Sequence, residues 1–534
     1  MRNVRTCGEA IVALLEGYGV DTVFGIPGVH TLELYRGLVN SRIRHVLPRH
    51  EQGAGFMADG YARATGRPGV CFLITGPGVT NAATAVAQAY SDSVPMLVIS
   101  SVNPAATLGR GLGELHELAD QQRLMSGCTA FSATVRRPED FPGVLARAFA
   151  LFASERPRPV HIEVPIDIFE EKVDAEWQPA EMPRRAEASA ADIATAAGWL
   201  AAAQRPAIIV GGGAVHAAGA VRVIAEKLAA PVATTVAGIG ILPGSHGLAL
   251  GPTLVGKATR DILNGADVVL AAGTELASTD TWGGVLDFSG RLIRVDVDPR
   301  QFEQPRRADL AIRTDARDAL EAIAAALPEA EIGGRRQASE RQVADAVSAW
   351  RDSMAGSYLQ CRHVFEAIVA AVPADTIFTA DMTQIAYSAH TVFRPQVPGR
   401  FFYPQGYGTL GYALPAALGV KLASPKRPVV ALVGDGGILY TLTEMATAID
   451  EDIPVVVALW NNNSLQQIRE GFEERGIKPI AVSPRAPDFQ VIARGFGWET
   501  TKVAALADVG AAVAAALEAR RPTLVEIDAN ALGI

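Results

Sequence analysis

The chain has 534 residues, a formal net charge of −9, 49% hydrophobic residues and 6% aromatic residues. That length implies about three domains at roughly 150 residues each, and the abundance of Ala, Gly and Val suits α/β layers with Ala-rich helices. The acidic balance, with no basic cluster, argues against nucleic acid and anionic membrane as partners.

The first helical pattern carries Glu9 and Glu16 and lacks an unbroken apolar stretch, so it does not read as a signal peptide. No run approaches the roughly 20 apolar residues that span a bilayer. Cys7, Cys71, Cys128 and Cys361 lie far apart without a C-x-x-C pair. This argues for the reducing cytoplasm and against a disulfide framework or a zinc site. A strand from Asp21 to Phe24 runs into Gly25-Ile-Pro-Gly28-Val29-His30. Next come Arg49-His50-Glu51-Gln52-Gly53-Ala54 with Asp59-Gly60-Tyr61-Ala62-Arg63, then a strand-to-helix turn at Ile74-Thr75-Gly76-Pro77-Gly78-Val79-Thr80-Asn81, then Leu115-His116-Glu117. By itself Glu51 reads as a surface carboxylate paired with Arg49, and His30 as a loop residue.

A strand ends at Val164-Pro165, and the composition then changes over Glu170 to Ser189, which reads as a linker closing a first domain at residues 1–169. A middle domain over 190–327 opens with the strand Ala207-Ile-Ile-Val and Gly211-Gly-Gly213, a glycine triplet that is a weak phosphate-loop signal without further support. A second linker, Pro328 to Ala338, precedes a C-terminal domain over 345–534. All three alternate short Val/Ile/Leu runs with helical patterns, the signature of doubly wound parallel sheets.

The C-terminal domain carries the sharpest chemistry. Pro428 to Val433 is a buried parallel strand that ends at Gly434-Asp435-Gly436-Gly437. A helix is expected over Tyr440 to Ile449, and a second buried strand over Pro454 to Trp460 ends at Asn461-Asn462-Asn463-Ser464. Asp435 and Asn462 thus fall at the carboxyl ends of parallel strands, where open α/β sheets bind ligands. Mg²⁺ takes oxygen ligands and shares its octahedron between a carboxylate, neutral oxygens and phosphates. Asp435, the Asn462 amide oxygen and the Ser464 carbonyl supply three ligands, leaving positions for a diphosphate. Gly436 and Gly437 allow close backbone approach to it.

These segments together resemble the thiamine diphosphate signature of the acetolactate synthase and 2-oxo acid decarboxylase family, over essentially the whole chain. The resemblance implies a pyrimidine-binding domain, a central Rossmann-like domain and a diphosphate-binding domain. It assigns thiamine diphosphate and Mg²⁺ as cofactors and Glu51 as the acid bonded to N1′ of the aminopyrimidine. Gly28, Thr75 and Asn81 fall on the pyrimidine side. Gly408 and Leu410 lie in Gly406-Tyr-Gly-Thr-Leu410-Gly-Tyr-Ala-Leu-Pro415, with Leu410 as the wedge that bends the cofactor. Thr383, Gln384, Gly434, Gly436, Gly437 and Leu465 fall beside the diphosphate. Gly251-Pro-Thr-Leu-Val-Gly256 and Gly273-Thr-Glu-Leu-Ala-Ser278 replace segments that bind a flavin in the synthases, which argues against FAD.

The substrate side is implied by Val29, His30, His116, Gln467 and Glu470, with His30 and His116 as proton-relaying catalytic residues and Gln466 nearby. The apolar Met and Trp of the synthases become Gln467 and Gly471, making a more polar pocket. The Gly-Ile-Pro-Gly-Val-His and Leu-His-Glu segments look similar to those of 5-guanidino-2-oxopentanoate decarboxylases. A guanidinium needs a carboxylate acceptor, for which Glu117, Asp120 and Glu470 are the candidates. The expected activity is non-oxidative decarboxylation of a 2-oxo acid to an aldehyde. The alternatives are acetolactate-synthase-like carboligation and a catalytically silent binding or regulatory subunit. The resemblance also implies a homodimer or homotetramer with active sites at the subunit interface.

Overall fold

A computed structural model describes residues 5–329 and 333–532. Three six-stranded sheets organise the chain. In the first, the spatial order is Arg44–Val46, Thr22–Gly25, Gly69–Leu73, Met96–Val102, Val160–Pro165, Phe131–Thr134, all pairs parallel. The second runs Ala249–Gly251, Val232–Thr234, Pro206–Val210, Val268–Ala272, Arg291–Asp296, Leu310–Arg313, again all parallel. The third runs Phe401–Phe402, Ile377–Ala380, Val429–Gly434, Val456–Asn461, Thr523–Asp528, Glu499–Val503. The central strands are continuous apolar runs because helices cover both faces; Val429–Gly434 and Val456–Asn461 are buried at every position.

The chain divides into two compact units. One gathers the segments up to Pro183, Thr379–Met382 and Tyr407–Leu532; the other holds Arg184–Phe378 and Thr383–Gly406. Within the first unit, the helices Glu51–Thr65 and Ala413–Ala423 cross with their backbones almost touching. A Cβ on Gly60 would lie 2.2 Å from the Ala416 carbonyl oxygen, and one on Gly419 would lie 2.0 Å from that of Met57. Glycine is required at both positions, and its absence of side chain lets the two helices approach. Tyr412 donates from its hydroxyl to Asp59 at 2.7 Å, and Asp59 is paired with Arg63 at 2.6 Å.

In the second unit, the strand order reverses between Pro206–Val210 and Val268–Ala272, the place where such sheets leave a crevice. Here Gly213 donates its N–H to the Gly273 carbonyl at 3.0 Å, and a Cβ on Gly211 would lie 2.5 Å from the same oxygen. The glycine triplet is therefore used in packing one strand-end loop against the other.

One local reading needs correction, and two linkers gain detail. The expected helix from Tyr440 begins only at Glu444, after a single 3₁₀ turn over Ile438–Tyr440. Thr441 leaves helical geometry at φ −137° and donates its hydroxyl to the Gly411 carbonyl at 2.8 Å. Within the first linker, Lys172–Val173 pairs antiparallel with Arg5–Thr6. Of the second linker, residues 330–332 lie outside the described residues, and the helix Gly333–Asp352 already begins within it.

Candidate active site

Asp435 follows the strand Val429–Gly434 and Asn462 follows Val456–Asn461, which are parallel neighbours with Gly434 opposite Trp460. Asp435 donates its N–H to the Trp460 carbonyl at 3.1 Å. The two side chains therefore leave adjacent strands at the same level. Asp435 is 7% exposed, and its carboxylate accepts the Gly436 N–H at 2.9 Å. Burial holds its pKa above the ordinary carboxylate range, against the lowering effect of main-chain N–H groups of Gly436, Asn463 and Ser464. A carboxylate desolvated in this way gains from a cation beside it. Asn462 turns its side-chain oxygen into the same loop, accepting the Ser464 N–H at 3.1 Å. The described residues bring together no group of three His, Cys, Asp or Glu side chains for a metal. An ion here would thus be held by one carboxylate, neutral oxygens and phosphate, the division Mg²⁺ prefers.

The loop is braced from behind. Glu526 accepts from Asn461 Nδ2 at 2.9 Å and Gln490 Nε2 at 3.0 Å, and Asn461 Oδ1 in turn accepts the Asn463 N–H at 3.3 Å. Leu465 covers Gly436, its Cδ2 lying 3.0 Å from where a Cβ would stand. Leu410 is half-buried between Gly408 and Gly411, whose φ values are +73° and +82°. These left-handed conformations bend the chain sharply on both sides of it. Gly408 also packs near Met382, and Gly411 against Tyr440 and Thr441. Thr383 and Gln384 open the helix Gln384–Val392 of the other unit, where Gln384 donates to Ser357 Oγ at 2.9 Å.

The N-terminal residues form a second cluster. Glu51 is the first residue of the helix Glu51–Thr65, capped by His50, whose Nδ1 accepts the Gln52 N–H at 3.1 Å. Glu51 is 9% exposed, and its carboxylate accepts from Asn81 Nδ2 at 2.9 Å. Arg49 pairs with Asp450 instead, so the surface ion pair that Arg49 suggested for Glu51 is not formed. Thr75 donates through N–H and hydroxyl to Ser101 Oγ at 2.9 Å each, and Gly76 donates its N–H to Gln121 Oε1 at 2.8 Å. Gln121 also donates to Ser101 O and Glu163, so a buried polar network fixes this turn from below.

Gly28 rests on Ile74, where a Cβ would lie 2.2 Å from Ile74 Cδ1, and Gly76 rests on the His116 backbone. The loops carrying His30 and His116 thereby converge, and their rings meet edge to face at 5.3 Å between centroids. Both Nδ1 atoms are buried without a hydrogen-bond partner among the described residues, an unusual state that a polar ligand would relieve. Burial, then proximity to His116, lowers the His30 pKa, partly offset by Glu114. His30 is thus biased toward the neutral imidazole. Val29 beside it is exposed.

Of the candidate guanidinium acceptors, Glu117 accepts N–H groups of Leu112, Gly113 and Glu114 in its own loop. Asp120 caps the helix Gln121–Ser126 through the Arg123 N–H at 2.8 Å. Glu470 and Gln467 are half-buried on the helix Gln466–Glu474, and Glu470 accepts from Gln466 Nε2 at 3.0 Å.

Residues 5–124 match the thiamine pyrophosphate enzyme N-terminal TPP binding domain, 193–323 the central domain and 381–527 the C-terminal TPP binding domain. The chain belongs to the thiamine pyrophosphate enzyme family. This thiamine pyrophosphate enzyme is 52% identical over 499 residues to the probable 2-ketoarginine decarboxylase AruI of Pseudomonas aeruginosa, covering 92% of this chain and 88% of that one. It is 34% identical to acetolactate synthase isozyme 1 large subunit of Escherichia coli, covering 98% and 94%. With the probable acetolactate synthase large subunit of Methanocaldococcus jannaschii it shares 31% identity, covering 97% and 91%. The buried Asp435, the Asn462 oxygen and the glycines of the loop fit a metal-bound diphosphate. The buried Glu51 with its Asn81 partner fits the pyrimidine end. Among the described residues no helix is long and apolar enough to cross a membrane.

Proposed function

We propose that this enzyme decarboxylates a 2-oxo acid non-oxidatively to an aldehyde and CO₂, with 5-guanidino-2-oxopentanoate as the substrate and Mg²⁺ anchoring the cofactor. The observation that carries the reading is the pair Asp435 and Asn462 on adjacent strand ends, supported by the 52% identity to a probable 2-ketoarginine decarboxylase. Bound thiamine diphosphate supplies an electron sink next to the carbon that loses CO₂. Asp435, Asn462 and the Ser464 carbonyl would hold the ion. Glu51, steadied by Asn81, would hold and return a proton at the pyrimidine nitrogen, and Leu410 would enforce the bent cofactor. His30 and His116, whose rings face one another, would relay a proton to the product carbon. Glu117, Asp120 and Glu470 are the candidate carboxylates for the guanidinium, where a bidentate contact is the favoured geometry.

Oligomerisation belongs to the same reading. Val29, Leu115 and Tyr440 are 65%, 60% and 59% exposed. Exposed apolar side chains of this kind suit a surface that a partner subunit covers. We assign a homodimer or homotetramer in the cytoplasm and no flavin in the middle domain. A panel of 2-oxo acids scored for CO₂ and aldehyde tests the activity. Preferential turnover of the guanidino substrate is expected. Acetolactate formation from pyruvate as the main reaction would overturn it in favour of carboligation, and cofactor binding without any turnover would favour a silent subunit.

A further inference from the structure

We propose that Asp381 is a positioning residue of the cofactor site, a buried carboxylate that fixes the Leu410 turn and the diphosphate loop against one another. It follows the strand Ile377–Ala380 and is 0% exposed. Its N–H donates to the Leu432 carbonyl at 3.0 Å, on the strand that leads into Gly434. Its two oxygens face the residues immediately after Leu410: Oδ2 accepts the Gly411 N–H and Oδ1 the Tyr412 N–H, each at 3.0 Å. On the opposite side, a Cβ on Gly437 would lie 2.5 Å from Oδ2. The carboxylate therefore also serves as the floor of the diphosphate loop.

The braced turn is tied at both ends. The Gly411 carbonyl accepts the Thr441 hydroxyl at 2.8 Å, and the Tyr412 hydroxyl reaches Asp59 on the helix that begins with Glu51. Burying a carboxylate is costly unless it is well hydrogen-bonded. Here the carboxylate takes both N–H groups of a turn whose left-handed residue would otherwise leave them without an acceptor. A shift of Leu410 relative to Gly437 breaks these bonds, so Asp381 sets the height of the wedge above the loop that receives the diphosphate.

This inference rests on the thiamine diphosphate reading, so its test measures cofactor binding before turnover. In Asp381→Asn the amide NH₂ must face one of the two N–H donors, and that bond is lost with the other kept. Titration with thiamine diphosphate and Mg²⁺, followed by calorimetry and by the near-ultraviolet circular dichroism of the bound cofactor, should show affinity weakened about 10- to 100-fold and an altered dichroic signal. At saturating cofactor, kcat should fall while KM for the 2-oxo acid stays unchanged. Because the effect acts through the wedge, the same substitution in a Leu410→Ala background should change kcat far less, a coupling that a double-mutant cycle measures. Gly437→Ala, which presses on the same carboxylate from the other side, should reproduce the altered dichroism. An Asp381→Asn enzyme that loses only thermal stability, with wild-type cofactor affinity and kcat, overturns the proposal. So does an undiminished effect in the Leu410→Ala background. If wild type itself binds no thiamine diphosphate, the parent reading fails and this one with it.

Discussion

Replacing Glu444 by glutamine isolates a buried carboxylate at the seam between the first and last domains. Glu444 opens the helix Glu444–Asp450 and has 0% exposure. It accepts the Arg49 N–H at 3.1 Å on each oxygen, the His50 N–H at 3.0 Å and the Thr447 hydroxyl at 2.7 Å. A Cβ on Gly53 would lie 2.2 Å from its Oε1. Burial raises its pKa from 4.5 to about 7, opposed by those donors. The folded chain therefore favours the protonated form. The stabilisation from that proton is complete below the unfolded value and is lost as pH rises through the folded one. At 1.36 kcal/mol per pKa unit the whole effect is about 3 kcal/mol. Glutamine carries no titrating proton, so its own effect is a pH-independent offset of roughly 1–3 kcal/mol from one NH₂ group facing an N–H donor. Asp381, raised to about 6 by burial, changes stability in the same direction but is present in both proteins and cancels. Urea unfolding of the two cofactor-free proteins between about pH 5 and 8 should show wild type losing up to about 3 kcal/mol relative to the variant. Parallel pH profiles would refute the reasoning.

Glu51→Gln should retain thiamine diphosphate and Mg²⁺ yet turn over about 10²- to 10⁴-fold more slowly, the span of a general acid–base group; near-normal turnover removes Glu51 from that role. Asp435→Ala should abolish Mg²⁺-dependent cofactor retention, and chelation of wild type should do the same reversibly. A cofactor titration unchanged in either case counts against the ligand set. Gly419→Ala drives a Cβ into the Met57 carbonyl across the helix crossing, and with backbone on both sides it should cost about 1–3 kcal/mol or more. Gly143→Ala, in the helix Phe141–Ser154 with nothing within 4 Å, serves as its control and should be neutral or stabilising by up to about 1 kcal/mol. Equal thermal shifts in the two variants would remove the packing argument.

Much of the strand-end site at Asp435 and Asn462 was legible in the residues. The β-branched runs before Gly434 and Asn461 announce buried strands by their length and lack of alternation, and a strand end that breaks into glycines and asparagines announces a loop. The boundary at Tyr440 was misread because an apolar, periodic stretch looks helical until Thr441 finds a carbonyl 30 residues away. Asp381, Glu444, Glu526 and Gln121 carried no local signal at all. Each looks like an ordinary surface residue in sequence, and the Glu444 carboxylate meets its main-chain donor 395 residues earlier.

By itself the sequence determined what depends on near neighbours: three strand-and-helix domains, the glycine turns, and the oxygen-bearing side chains at the ends of two strands. Only the tertiary structure decided which carboxylates are buried, which polar atoms brace the site, and that His30 and His116 face each other. Desolvation and hydrogen bonding depend on every group packed around a side chain, and for these residues most of those groups come from distant parts of the chain.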